Sequence, residues 1–170
     1  MEAFQKCKPM ISVDGTHLRS EYKDKLLVAV SYDANGYVLL LAFAIVDEET
    51  VESWCWFMKN LRLFVAFDRN PICVLSDRHK GIVHAMRHLD EWKEPMGYHR
   101  FCLRHIRSNF MTKFRNSKLK KLVWSLGSAS QRRKWKIYRT EMKSLSVEGS
   151  EYLSTIDKKQ WCLAYDENRR

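Results

Sequence analysis

The feature that most constrains the fold is a pair of β-rich runs joined by an Asn-Gly turn. Residues 26–32 read LLVAVSY, residues 37–46 read YVLLLAFAIV, and DANG lies between them. Asn-Gly between such runs predicts a β-hairpin, because both residues tolerate the positive φ angles of a tight turn. The second run does not alternate nonpolar with polar residues. We therefore expect both its faces to be covered, as in a central strand with helices on the sheet.

The rest of the first half alternates strand and helix patterns. A short nonpolar run over residues 10–13 ends at Asp14-Gly15, which is a turn signal. Thr50 is a good N-cap for a helix whose nonpolar residues recur at three- and four-residue spacing up to Val65. Residues 72–75 form a wholly nonpolar strand, residues 82–89 carry a helical pattern, and residues 98–102 fit one more strand. Three antiparallel strands extended by parallel strands through helical crossovers make an α/β mixed sheet, the topology of the ribonuclease H-like fold.

Beyond residue 102 every pattern is helical, with turns predicted at residues 127–130 and 147–150. We therefore expect two domains. Residues 1–102 form an incomplete ribonuclease H-like core, and residues 103–170 form a basic helical insertion region.

The positive charge is confined to the second part of the chain. Residues 1–97 hold 12 Lys and Arg against 14 Asp and Glu, whereas residues 98–170 hold 18 against 6. Such asymmetry favours a polyanion as partner, with nucleic acid ahead of an anionic membrane surface. No nonpolar run reaches the roughly 20 residues that a transmembrane helix needs. The N-terminus lacks a secretory signal, so we expect the cytosol or nucleus and reduced cysteines.

Two carboxylates stand at the ends of predicted strands. Asp14 ends the first strand, and Asp77 follows the buried strand of residues 72–75. If these strands are neighbours, the carboxylates can share divalent cations, which prefer oxygen ligands. The structural alternative is that Asp14-Gly15 is only a turn and that Asp77 only caps a helix.

Cys102 and His105 have a metal-like spacing. A structural zinc site needs four ligands and this pair offers two, so we do not expect zinc. His84, His88, His99 and Cys73 are further residues that the fold could bring near this pair. The alternative is a cysteine packed in the core beside a histidine at a helix end.

A basic stripe follows the predicted helix around residues 132–145. Its members recur at 4,3,4 spacing, and only Glu141 offsets them: Arg132, Lys136, Arg139 and Lys143. The stripe is either a solvated face or a surface that contacts phosphates. His79 likewise either touches a phosphate or faces solvent.

Three motifs in this order resemble the transposase domain of plant Mutator-like elements (MULE). They are VDGTHL at residues 13–18, VLSDRHKGI at 74–82 and HRFCLRHIRSNF at 99–110. The resemblance implies a ribonuclease H-like core of the Asp-Asp-Glu type that nicks and joins DNA in the nucleus with Mg²⁺ or Mn²⁺. Asp14 and Asp77 match the first two catalytic carboxylates, and Cys102 and His105 match the Cys-x-x-His pair. The partner implied is double-stranded DNA at transposon ends, and the complete protein could form a homo-oligomer.

The chain departs from the family at its C-terminus. Residues 161–170 resemble the segment near the end of the family's helical insertion, and the family's third carboxylate follows on the next helix, in an Asn-x-x-Glu-x-x-Asn pattern absent here. Glu167 is a weak candidate in its place. We therefore expect a fragment that does not cleave DNA by itself. The alternative function is a domesticated, non-catalytic DNA-binding regulator derived from a transposase.

Overall fold

A computed structural model describes residues 2–18 and 24–167 of the chain. Strands come first along this part of the chain and helices dominate its end. The elements are α1 (Glu2–Gln5), β1 (Met10–His17), β2 (Lys25–Tyr32), β3 (Val38–Val46), α2 (Val51–Phe64), β4 (Ile72–Ser76), α3 (Lys80–His88), β5 (Gly97–Phe101), α4 (Leu103–Phe114), α5 (Ser117–Ser128), α6 (Arg132–Leu145) and α7 (Val147–Ser154), with short 3-10 helices at Asp90–Trp92, Lys158–Gln160 and Leu163–Tyr165.

The five strands form one mixed sheet in the order β3-β2-β1-β4-β5. β1 and β2 pair antiparallel, as do β2 and β3, whereas β1 and β4 pair parallel. The predicted ribonuclease H-like α/β fold, with C-terminal helices after the sheet, is confirmed. Because β1, β3 and β4 run in the same direction, their carboxyl ends meet at one edge of the sheet.

Local hydrogen bonds explain where the first elements begin and end. The side chain of Asp33 accepts hydrogen bonds from the backbone N–H groups of Asn35 and Tyr37, both at 2.8 Å, and Gly36 takes a φ of 84°. The predicted hairpin between β2 and β3 is thereby confirmed. At the start of α2, Thr50 and Ser53 cap each other's backbone N–H groups, so the predicted N-cap is confirmed as well.

One face of the sheet packs against α2 and α3. Trp54 and Met58 of α2 and Ile82 of α3 are completely buried against β1 and β4, where Ile11 and Val74 are also buried. Alternation along β1 then places Ser12 and Asp14 on the opposite face from Ile11 and Val13. The core therefore lies on one side of β1, and Asp14 points away from it.

The prediction that both faces of β3 are covered is wrong. β3 lies at the edge of the sheet, and four of its nonpolar side chains are 54–64% exposed: Val38, Leu40, Phe43 and Ile45. Leu41, which faces the core, is buried. An unbroken nonpolar run indicated a central strand, but the three-stranded antiparallel meander places its last strand at the edge.

The described residues divide into two compact units, residues 2–99 and residues 100–167. The second unit has a helical core of its own, which includes Phe110, Val123, Met142 and Trp161. The turn predicted at residues 147–150 is wrong, because Ser146 accepts a hydrogen bond from Gly149 and caps α7 there. The predicted domains 1–102 and 103–170 stay a prediction. Among the described helices, none combines the length and nonpolar composition needed to cross a bilayer.

Candidate active site

The pairing of β1 with β4 sets the relative positions of Asp14 and Asp77. Ser12 stands opposite Leu75 in the parallel register. Asp14 lies two residues after Ser12 within β1, which continues to His17 instead of turning at Asp14-Gly15 as the sequence predicted, and Asp77 directly follows the end of β4. Both aspartates therefore belong to segments next to each other in the sheet. A shared cation requires that these two strands are neighbours, which the sequence left open. The structure shows that they are.

The structural alternative for Asp77, that it only caps α3, is wrong. His79 is the N-cap, and its Nδ1 accepts the Gly81 N–H at 3.2 Å. Asp77 Oδ1 accepts the His79 N–H at 2.9 Å, so the carboxylate is held in the turn between β4 and α3. His79 is thus a half-buried capping residue, since its Nδ1 is engaged and its ring lies 6.3 Å from that of Trp54.

β5 supports the same turn from the other side of β4. His99 Nε2 and the buried Ser76 Oγ are 2.8 Å apart, and Ser76 Oγ donates to the backbone carbonyl of Asp77 at 2.5 Å. His99 therefore helps to fix the backbone at Asp77. The sequence suggested His99 only as a neighbour of the Cys-x-x-His pair.

Sequence reasoning missed Glu49, which lies in the connection between β3 and α2. A Cβ on Gly15 would clash with the carboxylate of Glu49, so this carboxylate occupies the space that the glycine leaves open. The predicted strand directions could have indicated Glu49. Because β1 and β3 run in the same direction, the residues after Val46 return to the carboxyl end of β1. Because successive side chains of a strand point to opposite faces, this space lies on the other face of β1 from the Asp14 side chain.

The two aspartates suit a hard divalent cation in part. Carboxylate oxygens are the ligands that Mg²⁺ and Mn²⁺ prefer. Within residues 2–18 and 24–167, no group of three or more His, Cys, Asp or Glu residues is arranged to hold a metal ion. That Asp14 and Asp77 bind such a cation stays a prediction.

The other two candidate sites lie in the helical unit. Cys102 is the N-cap of α4 without a side-chain hydrogen bond to the helix, and its thiol is free. His105 is half-buried one turn into the same helix. Glu167, the weak candidate for the third carboxylate, forms an ion pair with Lys159 at 3.1 Å. The catalytic role of Glu167 and any role of the Cys-x-x-His pair stay predictions.

The basic stripe on α6 contains two kinds of cation. Arg139 donates to the Ser150 carbonyl at 2.8 Å and to the Ser154 hydroxyl, and burial lowers its pKa, partly opposed by Cys162. The guanidinium of Arg132 lies 5.2 Å from the ring centre of Tyr165. Lys136 and Lys143 are exposed. DNA binding by this stripe stays a prediction.

A second basic surface, which sequence reasoning missed, lies on α3. A cleft of about 300 Å³ is lined by five basic or imidazole side chains and one nonpolar one: Arg78, Lys80, Val83, His84, Arg87 and His88. We call it the α3 cleft. The spacing of Lys80, His84 and Arg87 at i, i+4 and i+7 could have revealed it, but the net negative charge of the first 97 residues concealed it.

Comparisons with known proteins agree with this arrangement. A family model described as the MULE transposase domain matches residues 10–109, which include β1 to β5, both aspartates and the α3 cleft. No curated protein matches the chain. The match extends over more than half of the sequence. The chain therefore belongs to the MULE transposase domain family.

Proposed function

We propose that this chain forms the catalytic core of a DNA transposase, in which Asp14 and Asp77 bind the divalent cations of an Asp-Asp-Glu site. The observation that supports the proposal is the parallel pairing of β1 with β4 in a chain of this family, because Asp14 lies on β1 and Asp77 directly follows β4. The substrate is double-stranded DNA at transposon ends, and the place of action is the nucleus of a plant cell.

The chain's own residues position the carboxylates for this chemistry. Asp77 is oriented by the His79 N–H, and Ser76 and His99 fix the backbone next to it. Divalent cations, when bound, would stabilise charge on the attacking and leaving oxygens of a phosphodiester. A third carboxylate is required for the complete site, and we propose that it lies on a helix after the insertion, as the family pattern implies.

Binding of Mn²⁺ tests the site directly. In ¹H–¹⁵N spectra of the 170-residue protein, paramagnetic Mn²⁺ should broaden the amide signals of Gly15 and Arg78 most strongly. Asp14→Asn and Asp77→Asn should each abolish this broadening, because neither carboxylate alone holds the ion tightly. Asp90→Asn is the matched control, since Asp90 is exposed and pairs only with Lys93 among the described contacts.

Nicking of supercoiled plasmid distinguishes the transposase function from the alternative, a non-catalytic DNA-binding regulator. We expect the 170-residue protein to bind Mn²⁺ without nicking, and to nick only when the third carboxylate is supplied in a longer chain. Nicking by the 170-residue protein that both asparagine variants abolish would show that Glu167 or another residue here completes the site. Unchanged amide signals with Mn²⁺, combined with DNA binding, would favour the non-catalytic regulator.

A further inference from the structure

We propose that the α3 cleft binds the phosphodiester backbone of DNA next to the Asp14 and Asp77 edge of the sheet. This inference rests on the proposed function and adds a binding surface for its substrate. The cleft begins at Arg78, the residue after Asp77, and extends along the outer side of α3 to His88. A DNA strand held there would lie beside the candidate catalytic carboxylates.

Two cations of the cleft, Lys80 and Arg87, are available for a ligand. Lys80 and Arg87 are exposed, and neither side chain has a hydrogen bond, ion pair or ring contact with another described residue. Unpaired cations that line a concave surface concentrate positive potential there, because the low-dielectric walls focus the field. The composition of the lining therefore selects an anion.

The neighbouring acidic side chain does little to neutralise this surface. Glu52 of α2 lies near His84, and its pKa is lowered first by its own backbone N–H, then by the Thr50 hydroxyl, with a smaller contribution from His84. The charge of Glu52 is thus stabilised mainly by the first turn of α2. The α3 cleft keeps an excess of positive charge because Arg78, Lys80 and Arg87 outnumber this carboxylate.

The spacing of the cations suits a run of phosphates. Seven residues separate Lys80 from Arg87, and at 1.5 Å per residue they lie about 10.5 Å apart along the helix axis. When α3 lies along the duplex axis, that length covers about three phosphates of one strand of B-DNA, which carries one charge per roughly 3.4 Å of axis. A single free phosphate would contact only one end of such a surface.

Two stacked imidazoles form the far wall of the cleft. The rings of His84 and His88 are 3.9 Å apart at 16°, and His88 Nδ1 donates to the His84 carbonyl at 2.9 Å. Since a carbonyl only accepts, His88 Nδ1 carries a proton. The stack orients the two rings relative to each other, so this wall is preorganised to contact the phosphodiester backbone of DNA.

The packing of α3 on α2 keeps this surface facing outward. A Cβ on Gly81 would lie 2.6 Å from Trp54 Cδ1 and 2.7 Å from the Thr50 carbonyl oxygen. The glycine therefore permits a close approach of the two helices. Ile82, Ala85 and Met86 are buried on that side, which leaves the basic residues on the other.

The test compares Lys80→Gln/Arg87→Gln with the matched control Lys6→Gln/Lys59→Gln, which removes two exposed lysines outside the cleft. Affinity for a short DNA duplex is measured by fluorescence anisotropy over a salt series with EDTA present. Loss of two phosphate contacts should reduce the salt slope by about 1.8 and weaken binding up to about sixtyfold at about 0.1 M salt. The control should change the slope far less.

Equal changes in the two double variants would overturn the inference, because only a general charge effect would remain. A second arm titrates inorganic phosphate against the ¹⁵N-labelled protein and follows the α3 amide signals. Saturation by millimolar phosphate with an unchanged DNA slope would assign the cleft to a free phosphate and overturn the proposal for DNA. EDTA removes divalent cations, so the salt slope and the α3 amide signals do not depend on whether Asp14 and Asp77 bind Mn²⁺. The proposed function and this inference can therefore be refuted separately.

Discussion

α3 and α6 each present a basic face, one in each compact unit, but their cations have different partners. On α3, Lys80 and Arg87 line a cleft and have no hydrogen bond, ion pair or ring contact with another described residue. On α6, Arg139 binds the backbone and a hydroxyl of α7, and Arg132 lies over Tyr165. The comparison teaches that the number of cations on a helix does not measure how many can bind a polyanion.

The difference arises from what packs beside each helix. The packed side of α3 is nonpolar, and Lys80 and Arg87 lie exposed on the other side. α6 packs beside α7, whose Ser150 carbonyl and Ser154 hydroxyl accept from Arg139. A guanidinium with five donors readily bonds such acceptors, whereas the lysines of the stripe stay in solvent. The net charge of +12 after residue 97 therefore overstates the cations available for DNA.

The largest effect is expected from Gly81→Ala, which should disturb α3 itself. The new methyl group would meet the Thr50 carbonyl oxygen at 2.7 Å, and backbone cannot move aside cheaply. Overpacking costs about 1–3 kcal/mol, and a clash with backbone belongs at the upper end of that range. After the gain from the better helix propensity of alanine, a net loss of about 2–3 kcal/mol remains. Urea denaturation measures the loss in free energy of unfolding.

Gly149→Ala in α7 is the comparison variant, because its nearest contacts are side chains rather than backbone and lie farther away, the Ser146 hydroxyl at 3.0 Å and the Phe110 ring at 3.1 Å. We also expect Gly81→Ala to weaken DNA binding, since the displaced helix carries the α3 cleft. Equal losses of stability in the two variants would contradict the close packing of α3 on α2.

The next effect concerns the stripe on α6. Lys136→Gln/Lys143→Gln should reduce the salt slope of DNA binding by up to about 1.8, if both lysines contact phosphates. Adding Arg139→Gln should change the slope no further, because this guanidinium is already bonded to α7. A further decrease of about 0.9 in the triple variant would show that Arg139 leaves α7 for a phosphate.

Much of the fold could be predicted from the sequence, because its signals are local. The Asn-Gly turn, the Thr50 cap and the nonpolar run of residues 72–75 each depend on neighbours in the chain, and the structure has all three elements. The exposure of Phe43 was not predictable in this way. It depends on which strand forms the edge of the sheet, a property of the whole topology.

The same distinction between local and long-range signals applies to the candidate active site. The position of Asp14 on the strand next to the one that Asp77 follows results from one parallel pairing, which the strand patterns allowed us to expect. The position of Glu49 over Gly15 requires the path of a loop, and the bonds of Arg139 require the packing of α7. Neither contact leaves a periodic signal in the sequence.

A smaller effect is expected for stability when the bonded cation of α6 is replaced. Arg139→Gln removes the hydrogen bonds to Ser150 and Ser154, and hydrogen bonds from charged groups contribute about 1.5–3 kcal/mol each when well buried. Because Arg139 is only partly buried, we expect a loss of about 2 kcal/mol in the free energy of unfolding. Lys136→Gln, on an exposed residue of the same helix, should stay within about 0.5 kcal/mol of the wild type. Equal stabilities would mean that Arg139 is as free as Lys136.

The smallest effect is expected from Tyr165→Leu, which removes a ring that two cations share. Arg132 and Lys158 lie 5.2 and 4.5 Å from its centre, and Trp135 meets it edge-on at 5.0 Å. Exposed cation–π contacts contribute about 0.5–1 kcal/mol, so we expect a loss near 1 kcal/mol by urea denaturation. Tyr165→Phe keeps the ring and should be nearly neutral. Because the leucine variant releases Arg132, its DNA affinity should stay unchanged or rise slightly. A fall in affinity would show that the tyrosine itself, rather than the cations it holds, contacts DNA.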